Sequence, residues 1–313
     1  MSATRLLPAV PENWNRCLST FSLCLFLLLV SAGCQKPQPG DSTAEKDDSP
    51  ATSAEQASAK ESGAPAETVA EPEEPKIAPE MLTKAGKPMT AARYKAAGNQ
   101  LKQIGLALHN LHEEARYFLP SQEEHPEFYD ENGRLKVSWR VHLLPYMDQK
   151  PLYEQFKLDE AWDSPNNAPL AKNMPEVFKS PDTPADSNKT RFRVFEGKRE
   201  KNSEGDEKMT TLFPLGQPAS MRDALDGTSN TIIVVEVGPD KAIEWTKPGG
   251  LNPAQPKAEL GETASQIAIL KGDGSISLVK KDLEDAQWKE MIGPQDFTRI
   301  DWDAIEVKPG QKE

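Results

Sequence analysis

Cysteine is nearly missing from this 313-residue chain, in which Cys17, Cys24 and Cys34 are the only three. The first two fall in an N-terminal leader, so after its removal Cys34 is the one thiol left. That excludes an intramolecular disulfide, a cysteine-ligated zinc site and a catalytic cysteine in the folded part. Basic charge is also short. With 37 Lys and Arg against 49 Asp and Glu, the net charge is −12, which does not offer the basic surface that a nucleic-acid partner needs. There is no glycine-rich phosphate loop, dinucleotide fingerprint or His-Glu-x-x-His helix, and no Gly-x-Ser-x-Gly elbow or EF-hand loop. The expectation is therefore a protein with no cofactor, no resident metal and no catalytic constellation.

Long apolar runs are limited to one, Leu18–Val30 (LSTFSLCLFLLLV), behind Arg5 and Arg16 and followed by Ser31-Ala32-Gly33-Cys34. A positive flank, an apolar run too short for a comfortable membrane span, and small residues at the cut site read as an export signal. A cysteine directly after those residues resembles a bacterial lipobox, with Cys34 as the lipidated N-terminus of the mature chain. Ser31 departs from that pattern, because lipoboxes usually carry Leu three residues before the cysteine. From Gln35 to Lys87 there is no aromatic residue, and 6 Lys face 11 Asp and Glu. Such a stretch buries too little apolar surface to offset its chain entropy and reads as a disordered acidic spacer. The expected organisation is a signal at 1–33, a tether at 34–88, a folded domain at 89–293 and a C-terminal tail at 294–313.

Within the domain, Tyr94, Ala97, Leu101, Ile104, Leu108, Leu111 and Ala115 recur at spacings of three and four. This predicts one long helix, capped by Thr90 and ended before Pro120. Gly98 and Gly105 interrupt it, each costing about 1 kcal/mol relative to Ala, which points to close packing against a sheet. Prolines at 145, 151, 165 and 169 cut the aromatic-rich middle into short helices and turns. Arg191–Phe195 reads as a strand, Thr231–Val235 as a buried one, and Gln266–Leu270 with Ser275–Val279 as a hairpin turning at Gly272-Asp273-Gly274. Asp285–Ile292 reads as a short closing helix. The fold class is α+β, with a long N-terminal helix, then short helices and a small antiparallel sheet.

Several stretches then resemble a known family: Asn99–Asn110 (NQLKQIGLALHN), Ser138–Val141 with Leu144–Tyr146, Leu152–Phe156, Asp159–Asn166 (DEAWDSPN), Asp226–Thr231 (DGTSNT) and Trp245–Pro248. Together they are similar to a domain-of-unknown-function family abundant in planctomycete bacteria, over about residues 90–293. The resemblance implies a type II secretion pseudopilin-like fold. Members usually begin with a prepilin segment that runs straight into the long helix, whereas this chain has a lipoprotein-like signal and a spacer. They also usually carry a histidine separated by nine residues from an Asp-Gly pair. Here Asp273-Gly274 is present, but Thr263 stands in the histidine's place, so no chemistry of that histidine carries over.

Candidate sites are few. Asp226, Asn230 and Glu236 around DGTSNTIIVVE supply hard oxygen ligands that could bind a cation or carbohydrate, although the same stretch is a competent turn feeding a strand. Ser229 has no nucleophile elbow around it. His109 and His112 lie three apart on the helix without further ligands, and His125 and His142 complete the histidines. Asp159, Glu160 and Asp163 around Trp162 could serve acid/base work on a sugar, or simply frame a packed tryptophan. The leading expectation is a non-enzymatic protein lipid-anchored to a membrane through Cys34, outside the cytoplasm in the cell envelope, contacting an envelope protein or glycan. The alternative is a carbohydrate- or cation-binding, even hydrolytic, extracytoplasmic domain.

Overall fold

Helix α1 (Ala91–Ala115) is the longest element of the computed structural model. Thr90 caps it as expected, its hydroxyl accepting the Arg93 N–H at 3.2 Å. Ala97, Leu101, Ile104, Leu108 and Leu111 are buried, with Tyr94 and Ala115 packed at the margins. Burying Leu101, Ile104 and Leu108 completely contributes about 5–9 kcal/mol by side-chain transfer, as an upper bound. The structure describes residues 77–201, 205 and 207–310. The signal, most of the tether and Cys34 lie outside the described residues. Among those residues, no helix is long and apolar enough to cross a membrane.

After α1, the prolines set short 3-10 and α turns, among them α2 (Trp139–His142). Next come β1 (Phe192–Arg193), the hairpin β2 (Arg199–Lys201) with β3 (Glu207–Met209), then β4 (Ile232–Glu236), β5 (Gln266–Lys271), β6 (Ile276–Lys280) and helix α3 (Asp285–Ile292). The main sheet runs β6-β5-β4-β1 with every pairing antiparallel. Of the expected strand Arg191–Phe195, only Phe192–Arg193 pairs in this sheet. A separate parallel pair joins Glu196–Gly197 to Phe213–Pro214.

The sheet is covered on both faces, which explains its continuous apolar strands. Ala268 and Leu270 of β5 face one core with α1, while Ile267 and Ile269 face a second with Trp288, Met291 and Ile292 of α3. The alternation breaks in β4, where the register shifts between Ile232 and Val234, because a bulge moves side chains to the other face. The two helix glycines lie over the β5–β6 hairpin. A Cβ on Gly105 would come within 2.9 Å of Leu270 Cδ1, and one on Gly98 would sit 3.8 Å from Ile276. The residues expected as a tail run along the second core: Ile300 and Ile305 are buried, and Glu306 bridges to Val279.

Candidate functional site

The expected ligand residues are placed by the fold for other work. Asp226 turns its carboxylate onto the C-terminal segment, accepting the Asp296 N–H at 2.7 Å and the Phe297 N–H at 2.6 Å. This holds Phe297 at a positive φ of 55°, a conformation that a bulky residue rarely adopts. Asn230 donates to the Asp226 carbonyl at 2.8 Å and accepts the Trp302 indole N–H at 2.9 Å. Thr228 and Thr231 carbonyls accept Asp273 and Gly272 N–H groups from the β5–β6 turn. The DGTSNT stretch is thus a brace between the C-terminal segment and that hairpin. Glu236 is buried with both oxygens turned to Arg93, away from the partners of Asp226 and Asn230, so the three do not form one site.

Glu236 instead anchors a buried ionic centre. Both of its oxygens accept from Arg93, at 2.7 and 2.9 Å, and the two side chains are 1% and 2% exposed. Arg93 also reaches Asp182 at 3.2 Å, and Arg191 reaches the same Asp182 oxygen at 2.5 Å. Burial pushes the Asp182 carboxyl up, but the Arg191 and Arg93 guanidiniums outweigh that and hold it down at about 2. Burial likewise pushes Glu236 up, and Arg93 and Arg191 more than offset it, leaving the carboxyl below its ordinary value. Two arginines and two carboxylates balance, so the centre is neutral as a whole and ties α1 to β4 and to the loop at 180–183. A further buried guanidinium, Arg140, has no carboxylate partner among the described residues. It donates to the Phe192 carbonyl and the Ser138 hydroxyl and lies 4.6 Å over Trp139. Burial, and then Arg193, push its pKa down.

The two helix histidines take separate hydrogen-bond partners. His109 bonds the Gly272 carbonyl at 2.9 Å, while His112 Nε2 accepts the Met221 N–H at 3.0 Å. His125 stacks on Phe128, and His142 is buried with Nε2 unpartnered. Among the described residues no three His, Cys, Asp or Glu side chains are grouped to hold a metal ion. In DEAWDSPN the organising residue is buried Asn167, which follows that stretch. Its side chain bonds Lys157 at both N–H and carbonyl, and donates to the Glu160 and Ala161 carbonyls. Glu160 accepts from Asn166, and Trp162 lies under Lys247. Thr263 and Asp273-Gly274 flank opposite ends of β5, so they share no site either.

One open cleft of about 580 Å³ lies between Gly197 at the base of the β2–β3 hairpin, the loop at 252–254 and the end of α3. Its charges are largely paired: Arg134 with Glu196 at 2.5 Å, Lys198 with Glu200 at 3.2 Å, and Lys208 with Asp296. Gly197 forms part of its wall, where a Cβ would strike the Thr210 hydroxyl. Lys289 of α3 projects into it as an exposed cation. These residues come from segments up to about 100 positions apart.

No curated protein and no solved structure matches the chain. Residues 89–306 match the family model SBP_bac_10, a protein of unknown function (DUF1559). That span takes in α1, the whole sheet, α3 and the brace around Asp226, and on it the chain belongs to the SBP_bac_10 (DUF1559) family.

Proposed function

We propose that this chain is a lipid-anchored protein of the cell envelope, held outside the cytoplasm by Cys34, whose folded domain acts by contact rather than by catalysis. The observation that carries this reading is the engagement of Asp226, Asn230 and Glu236. Each of these three groups, the ones expected to hold a ligand, is already held by a partner within the domain. The acidic spacer before residue 77 gives the domain a reach of tens of Å from an anchored Cys34, taking roughly 5–6 Å times the square root of residue number. In this reading the domain is displayed on its tether and meets an envelope protein or glycan.

A second reading, extracytoplasmic carbohydrate binding, has the cleft beside Lys289 in its favour. It is large enough for one or two sugar rings and carries hydroxyl, amide and charged groups at its rim. The two readings separate in a thermal-melt series on the full chain with envelope-type oligosaccharides and with calcium. Under the contact reading, neither addition raises the melting temperature, and Asp226→Ala and Glu236→Ala lower it without altering any ligand response. A rise that Lys289→Glu abolishes would establish the cleft as a glycan site instead.

A further inference from the structure

The entry segment before α1 is fastened to one pole of the domain by a set of hydrogen bonds. Thr83 donates its N–H to Asp182 at 2.8 Å and accepts from Arg191 Nη1 at 2.8 Å. Gly86 donates to the Thr263 carbonyl at 3.1 Å, and the Lys87 carbonyl accepts the Ser265 N–H at 2.9 Å. The helix cap Thr90 donates to the Glu80 carbonyl at 2.6 Å. Little apolar surface joins in: within the strap Leu82 is 42% exposed and Met81 is only partly buried. The ionic centre of Arg93, Glu236, Asp182 and Arg191 is paired within itself and does not need the strap to be neutral.

We propose that residues 79–87 form an exchangeable strap, and that the pole made by Asp182, Arg191, Thr263 and Ser265 is an interaction surface for the same strap of a second copy of this chain. Apart from the Thr90–Glu80 bond, the groups that hold the strap belong to residues 182–265, far along the chain. They bond a neighbour's strap as well as their own. Pro88 and Met89 join the strap to the helix cap, and this link spans only about 10 Å when extended. Two copies exchanging straps therefore meet pole to pole, filling both sites and closing as a two-fold pair. A segment held by a few hydrogen bonds with little apolar burial belongs to the most easily opened part of a domain, so exchange requires no global unfolding. This inference deepens the contact reading by naming one partner, and it rests on that reading only for the crowding that anchored neighbours provide.

The test uses the full chain in detergent with Cys17, Cys24 and Cys34 changed to Ser, which removes any dependence on lipidation. One preparation carries Lys87→Cys and another Ser265→Cys. They are mixed at roughly 100 µM and oxidised, and a single chain carrying both cysteines serves as control. The control is expected to close within itself as a cross-linked monomer on dilution. The mixture is expected to give the mixed Lys87→Cys to Ser265→Cys dimer several-fold above either same-site dimer. Thr83→Ala is expected to speed its appearance several-fold while leaving its final amount similar, because the strap contacts are the same in the closed and exchanged forms. A control that closes alongside a mixture with no excess of mixed dimer would overturn the proposal by keeping every strap at home. A control that fails to close would overturn it by removing the strap from the pole.

Discussion

Glu236→Gln is the most informative single substitution, because it removes a charge and leaves the side chain's shape. Glu236 and Arg93 are 1% and 2% exposed and joined by two hydrogen bonds of 2.7 and 2.9 Å. Taking one charge from a buried pair strands the other and costs about 3–5 kcal/mol. Asp182, 3.2 Å from Arg93, offsets part of the loss, so the lower end of that range is expected. For a domain of this size, that lowers the melting temperature by about 6–12 °C. Arg93→Met alone strands Glu236 and is expected to cost at least as much. The double variant Arg93→Met/Glu236→Leu replaces both charges by apolar groups and should recover at least half of the summed loss. Urea unfolding of wild type, Arg93→Met, Glu236→Leu and the double variant gives the coupling directly. A cost below about 1 kcal/mol for Glu236→Gln, or simple additivity in the cycle, would refute the buried centre as the tie between α1 and β4.

Acid should destabilise the domain in two stages. Burial, with a smaller push from His125, lowers His142 to about 3. The unfolded chain takes up that proton near 6.5 while the folded one does not, so stability falls as pH drops from about 6 to 3, by about 1 kcal/mol per unit. His142→Phe should flatten this slope in pH-dependent urea unfolding, and an unchanged slope would contradict the assignment. Asp182 adds a second loss: its contribution is complete above the unfolded value of 3.8 and disappears as pH falls toward about 2, worth about 2 kcal/mol in all. Gly98→Ala should stabilise by about 1 kcal/mol through helix propensity, because its Cβ finds ordinary contact, whereas Gly105→Ala loses that gain by pressing on buried Leu270. Equal melting shifts for the two would count against the helix–hairpin packing. Asp226→Ala removes the acceptor of the part-buried Asp296 N–H and the exposed Phe297 N–H and should cost about 1 kcal/mol, with faster amide exchange at Asp296 and Phe297 as its local signature. Unchanged exchange there would remove Asp226 from its bracing role.

The parts of the fold visible in the sequence were those with a period. Helix α1 announces itself through seven apolar positions and a threonine cap, and the β5–β6 hairpin through its glycines. The brittle points were visible only in a weaker form. One turn before Ala97, the apolar stripe of α1 lands on Arg93, and the apolar run of β4 ends in Glu236. Opposite charges that each close a buried stripe are a legible sign of a buried pair, yet the sequence does not say which stripes meet, so in it Glu236 stands equally as a candidate ligand or the end of a strand. Asp182 sits in a loop with no pattern, and Asp226 finds its partners 70 residues away, so neither role could be read locally. The cleft is assembled from segments with polar, non-periodic sequences, for which hydrophobic patterning carries no signal.

The account centres on a tethered domain, and the intact mass of the mature chain tests that most directly, with acyl labelling and membrane fractionation of wild type and Cys34→Ala. A diacyl or triacyl mass on Cys34, lost in the variant together with membrane association, is the predicted result. A chain that keeps its leader or ends in an unmodified Cys34, and partitions like the variant, would contradict it.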